Sequence, residues 1–173
     1  TNATTFNIIG QKDVTFFGQN KSSMLNITKD FTIKITNITF RNINKEGLYG
    51  AIVNMGKLTL INTTFLNNYN EYAEGTALHN YNGTVIIENS SFINNTGKNG
   101  GVIFSKGNLS ISNTLFTNNS AEYGGIIYSA GYVQRIMLYP GFFIYKVMSG
   151  NLTISNTTFN NSIAKEDYGA IYF

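Results

Sequence analysis

Apolar residues along this chain come in short alternating bursts and then give way to Asn, Thr, Ser and Gly. The bursts "IKITN", "LTLIN", "VIIEN", "LSISN" and "LTISN" each set two aliphatic side chains two positions apart, the period that predicts a half-buried strand. A polar turn and a phenylalanine precede or follow each burst, at Phe16, Phe40, Phe65, Phe92, Phe116 and Phe159, with spacings of 24, 25, 27, 24 and 43 residues. A third segment then closes the repeat, as "YGAIV", "GTALH", "GGVIF", "GGIIY" and "YGAIY". Strands this short cannot hold a sheet alone, but each can pair with its equivalent one repeat later. The pattern therefore predicts an all-β, right-handed parallel β-helix of about six to seven three-strand coils.

Alternation assigns faces. Ile33/Ile35, Leu58/Leu60, Val85/Ile87, Leu109/Ile111 and Leu152/Ile154 are expected to point inward on one wall, the phenylalanines on a second, and Ile52, Leu78, Ile103, Ile127 and Ile171 on a third. Asparagines recur at two corners: Asn37, Asn62, Asn89, Asn113 and Asn156 at one, Asn42, Asn67, Asn94, Asn118 and Asn161 at the other. They are expected to face into the turns as hydrogen-bonded ladders. The pairs Gly100-Gly101 and Gly124-Gly125 mark a third corner that requires a positive φ or a close backbone approach.

The 43-residue spacing exposes an insertion of 19 residues, 130–148, that follows the strand ending at Ser129. It contains the chain's only proline, in "GYVQRIMLYPGFFIYKVM", and reads as a hairpin turning at Pro140-Gly141. It either folds back over the neighbouring wall or stands out to meet a partner. The fold-back is preferred, because an uncovered apolar patch invites aggregation. On that neighbouring wall, Val53, His79, Phe104, Tyr128 and Tyr172 follow the inward residues, and alternation points them outward as an exposed aromatic stripe. The candidate binding residues are thus His79, Phe104, Tyr128, Tyr172 and, on the hairpin, Tyr132, Arg135, Tyr139, Phe142, Phe143 and Tyr145.

Composition narrows the function. The chain is 42% apolar and only 12% charged, with a net charge of +3 spread thinly, so no basic track exists to follow a nucleic acid backbone. No apolar run reaches the 18 to 20 residues of a membrane helix, and without cysteine there is no disulfide framework. Asp13, Asp30 and Asp167 lie on different coils rather than as the clustered carboxylates that sugar-cleaving chemistry requires. Glu46, Glu74, Glu122, Glu166 and Asp167 share a loop column interrupted by Lys98, which reads as a solvated edge. His79, the single histidine, has no sequence partner suggesting a triad or a metal cluster, and reads as surface decoration. Neither catalysis, nor a cofactor, nor a metal site is expected. Thirteen Asn-x-Ser/Thr sequons occur. Asn82, Asn108 and Asn151 are the ones expected to be accessible to glycans, whereas Asn37, Asn62, Asn89, Asn94, Asn118 and Asn156 are expected to be turned inward.

The recurrent "YGAI", "GGVI" and "GGII" with "FLNN", "FINN" and "FTNN" resemble the repeats of polymorphic outer-membrane proteins, and still more the Asn/Thr-rich adhesin-like surface proteins of methanogenic archaea. The resemblance covers about residues 33–173 apart from the insertion. It implies an extracellular, cell-surface or cell-wall protein used in attachment to a surface protein or glycan of a host or neighbouring cell. Because "YGAIYF" ends the chain without a polar cap, residues 1–173 are expected to form one domain of a longer repeat protein, or a unit that self-associates end to end. A structural filament subunit and a relative of pectate-lyase-like enzymes are the alternative roles.

Overall fold

The computed structural model describes residues 4–18, 23–43, 49–140, 142–148, 150–167 and 169–173. Every regular element among them is a strand, and the sheets stack in parallel as a β-solenoid. The first wall carries Lys57–Ile61, Thr84–Glu88, Asn108–Ser112 and Leu152–Ser155, continuing from the longer strands Thr4–Phe17 and Phe31–Arg41. Its register sets Ile33 beside Leu58, Val85, Leu109 and Leu152, and Ile35 beside Leu60, Ile87, Ile111 and Ile154. Like therefore stacks on like, as the alternation requires.

The phenylalanines form the second wall, on Thr64–Leu66, Ser91–Ile93, Leu115–Thr117 and Thr158–Asn160. From Phe40 through Phe65, Phe92 and Phe116 to Phe159 the rings lie nearly parallel, with centroids 4.7–5.0 Å apart. Phe16 meets Phe40 edge-on at 5.2 Å. Because Phe31–Arg41 runs through both, these two walls belong to one sheet. The third wall is Leu25–Ile27, Ile52–Asn54, Leu78–Asn80, Ile103–Ser105, Ile127–Ser129 and Ile171–Tyr172, with its aliphatic residues in register.

A further sheet was not expected from the sequence. Tyr69–Glu74, Thr96–Asn99, Ser120–Tyr123 and Ile163–Asp167 form a polar wall between the phenylalanines and the third wall. Its buried positions hold the small residues Asn70, Gly97 and Ala121. About four turns carry all of these walls, fewer than the six or seven that counting phenylalanines suggests. The two leading rungs have no polar-wall strand among the described residues.

The corner asparagines require correction. All ten sit in the left-handed region, with φ of 45–57° at the first corner and 46–54° at the second. Their side chains are exposed, apart from the half-buried Asn42. Asn is chosen there because its short polar side chain tolerates a conformation that costs most residues about 1–2 kcal/mol. Outer rungs do form, Asn62 Nδ2 donating to Asn37 Oδ1 at 3.2 Å and Asn94 Nδ2 to Asn67 Oδ1 at 3.1 Å. The buried ladder lies one residue further on, at Asn68, Asn95 and Asn119. Asn68 Nδ2 donates to Asn95 Oδ1 at 2.9 Å, and Asn95 Nδ2 to Asn119 Oδ1 at 3.1 Å. The same oxygens accept the backbone N–H groups of Asn68 and Asn95 at 3.1 and 2.9 Å. A second buried run links Asn54, Asn80 and Ser105, each at 2.9 Å. It follows that Asn37, Asn62, Asn89, Asn94, Asn118 and Asn156 are not turned inward, and are as open to solvent as Asn82, Asn108 and Asn151.

At the glycine corner, Gly100 and Gly124 have φ of 54° and 68°. Gly101 meets the other requirement, since a Cβ there would collide with the Ser120 carbonyl.

The inserted strands Tyr132–Tyr139 and Phe142–Met148 pair antiparallel with each other and with no strand of the solenoid. The insertion is a hairpin, as read. It forms a separate two-stranded ribbon.

Candidate functional site

The outer face of the third wall brings together most of the stripe. Asn26, Val53, His79, Phe104, Tyr128 and Tyr172 occupy equivalent positions in successive rungs. Four rings stack along it: His79 on Phe104 at 5.0 Å, Phe104 on Tyr128 at 4.9 Å, and Tyr128 on Tyr172 at 4.6 Å, all within 16° of parallel. The face is outward, but it is not the open platform the alternation suggests. His79 is 2% and Phe104 3% exposed, and only Tyr128 and Tyr172 are partly open. The His79 ring is flanked by Tyr49, Tyr81 and Phe104, and the Phe104 ring lies between His79 and Tyr128. Without side chains, Gly75, Gly100 and Gly124 bring the preceding backbone against the stack, so that a Cβ on Gly124 would meet the Tyr128 ring and one on Gly100 its Cβ. Lys106 Nζ adds a cation 5.0 Å from the Phe104 ring centre.

His79 is therefore a buried member of the stack rather than surface decoration. Its Nδ1 lies 3.0 Å from the Glu74 carbonyl. A carbonyl only accepts, so Nδ1 carries the proton. Burial lowers the imidazole pKa below its ordinary value of 6.5; the Glu74 carbonyl and carboxylate oppose that shift and Lys106 adds to it. The folded chain therefore resists protonation at His79 more than the unfolded chain does. The stabilisation is complete above pH 6.5 and is lost as pH falls through the lowered pKa. The melting temperature should consequently drop between pH 7 and pH 5, and His79→Phe, which keeps a ring in the stack, should flatten that drop. Identical pH profiles for the two proteins would remove His79 as the cause.

The ring column stops at His79, because the next two rungs offer only Val53 and Asn26. The space they leave is a groove of about 510 Å³ bounded by Ser23, Asn26, Tyr49, Val53, Met55, His79 and Tyr81. Tyr49 meets the His79 ring edge-on at 4.8 Å, and Tyr81 lies nearly parallel to it at 6.3 Å. Both tyrosines remain about half exposed. The groove thus has aromatic walls, an apolar floor, and an amide and a hydroxyl at its end, within the size range of small-ligand sites. Sequence reasoning noted Val53 and His79 but missed Tyr49, Tyr81, Ser23, Asn26 and Met55. The available signal was the break in the aromatic column at Val53, with Tyr49 four residues before it and Tyr81 two residues after His79.

The hairpin candidates are not brought to this groove as a set. Arg135 faces Tyr145 across the ribbon and Tyr139 faces Phe142. Arg135, Tyr139 and Tyr145 are exposed. The side chains of Tyr132, Phe142 and Phe143 lie outside the described residues. Of the acidic column, Glu122 and Glu166 flank Tyr123 and raise its phenol pKa, chiefly through a hydrogen bond with Glu166. Among the described residues no three His, Asp or Glu side chains converge as a metal site. No family model, curated protein or solved structure matches the chain.

Proposed function

We propose that the chain is a non-catalytic attachment module of an extracellular surface protein, and that it engages a saccharide in the tyrosine-walled groove over Asn26, Val53 and His79. The groove is the observation that carries this reading. Tyrosine and imidazole faces suit the apolar face of a sugar ring, while Asn26 and Ser23 can exchange hydrogen bonds with its hydroxyls. The repeat's resemblance to adhesin-like surface proteins points the same way. The parallel solenoid supports the site by fixing its floor, Val53 and His79, to strands of consecutive rungs, while Tyr49 and Tyr81 wall it from positions just outside those strands. The test is a glycan array followed by calorimetry on the binding glycan. Tyr49→Ala and Tyr81→Ala should each weaken binding at least about ten-fold, consistent with loss of a well-packed aromatic contact. Tyr72→Ala, on the polar wall, should leave it unchanged. Undiminished binding by the Tyr49/Tyr81 double variant would reject the groove.

A further inference from the structure

We propose that the inserted hairpin is a membrane-insertion element, whose tip enters the headgroup and outer acyl region of an anionic lipid bilayer without crossing it. The charge pattern is the first reason. Ten consecutive residues, 136–145, are uncharged and include four aromatics and the proline, and they are bracketed directly by Arg135 and Lys146. The nearest carboxylates in sequence are Glu122 and Glu166. In the ribbon Arg135 faces Tyr145 and Gln134 faces Lys146, so the two cations stand at adjacent levels midway along it. All pairs beyond them, from Ile136 with Ile144 to Tyr139 with Phe142, are uncharged. An apolar tip above a cationic collar matches an anionic surface covering an apolar layer.

The second reason is that the apolar character is two-sided. Adjacent residues of a strand point to opposite faces. Met137 and Tyr145 lie on one face, 62% and 68% exposed, and Ile144 lies on the other, 41% exposed. A lid over the solenoid, or a one-sided protein contact, requires one apolar face and leaves the other polar. Lipid surrounding the tip satisfies both. Reach gives the third reason. From Arg135 to the turn at Pro140 is roughly 17 Å, five residues at about 3.3 Å each. That passes a headgroup layer of roughly 5–8 Å but falls well short of the ~30 Å core. Tyr139 and Tyr145 are residues that favour that boundary. The ribbon pairs with no solenoid strand, so insertion leaves the coils undisturbed, and the proposal stands independently of the groove.

Because the chain contains no tryptophan, Tyr139→Trp in the whole chain gives a single reporter. With vesicles of phosphatidylcholine and phosphatidylglycerol, its emission should shift to the blue, and the unsubstituted protein should float with the vesicles. Arg135→Gln with Lys146→Gln should weaken binding about thirty-fold. Met137→Asp with Ile144→Asp should weaken it at least about a hundred-fold, with an unchanged far-ultraviolet circular dichroism spectrum. Absence of both flotation and blue shift would overturn the proposal. So would flotation unaffected by the aspartate pair, or a hairpin-dependent protein complex from a chain with no vesicle affinity. Glycan binding measured on the same samples separates failure of the hairpin from failure of the groove.

Discussion

Truncating Phe92 to alanine should destabilise the fold by about 3–5 kcal/mol, the cost of an unfilled aromatic site in a packed core. Phe92 is completely buried, and its ring is sandwiched between Phe65 at 5.0 Å and Phe116 at 4.7 Å. The substitution therefore removes two ring contacts, each worth about 0.5–1.5 kcal/mol beyond the area buried. Collapse is resisted, because the neighbouring rings are pinned by strands whose register is fixed above and below. Urea denaturation followed by circular dichroism measures the loss. A change below about 1 kcal/mol would mean the column relaxes into the gap and is not a rigid stack.

Asn95→Leu should be comparably severe, about 2–6 kcal/mol, although the side chain is polar and similar in size. Asn95 Oδ1 accepts the buried N–H of Asn68 at 3.1 Å, and its Nδ2 donates to the Phe65 carbonyl at 3.0 Å. Leucine leaves both backbone groups without these partners in a site where Asn95 and Asn68 are wholly buried, at about 1–3 kcal/mol each. The adjacent Asn94 provides the contrast. It is exposed with φ of 53°, so Asn94→Gly should be close to neutral, because glycine adopts that conformation freely. The comparison is made by denaturant midpoint. If Asn94→Gly and Asn95→Leu were equally mild, the amide ladder would not be a source of stability.

This pair of neighbours also shows what the sequence can and cannot convey. Period-2 alternation reports which residues face the core, and Leu58, Leu60, Val85 and Ile87 are buried as it requires. The phenylalanine spacing and the excess length at 130–148 gave the column and the hairpin for the same reason: both are properties of register. Within "NN" pairs such as Asn94-Asn95, however, one residue turns the backbone left-handed and the other is buried, and composition is identical for both. Deciding between them requires the φ values. The polar wall was missed because its inward residues, Asn70, Gly97 and Ala121, are small and give no aliphatic alternation. The stripe was placed on the correct face with the wrong exposure, since alternation says where His79 and Phe104 point and nothing about the rings packed on either side of them. The groove was missed for a related reason. It is built from Val53 and Asn26, residues too small to fill a position that rings fill in later rungs.

The hairpin has a consequence for how such a chain can vary. Leu109 pairs with Leu152, and Tyr128 with Tyr172, across the 19 additional residues as regularly as any two neighbouring coils do. What is conserved from rung to rung is the place where the chain re-enters, not the path taken between. The entropy of closing such an excursion grows only logarithmically, by about 0.6 kcal/mol per doubling of length. The corners after the equivalent Asn54, Asn80 and Ser105 are sockets of the same kind, at the cost of the bond by which each side chain caps its short turn. Those bonds run to the Gly56, Gly83 and Gly107 carbonyls, and the buried Ser129 Oγ lacks one. The solenoid behaves as a ruled backplane on which recognition elements can be added, moved or exchanged one at a time.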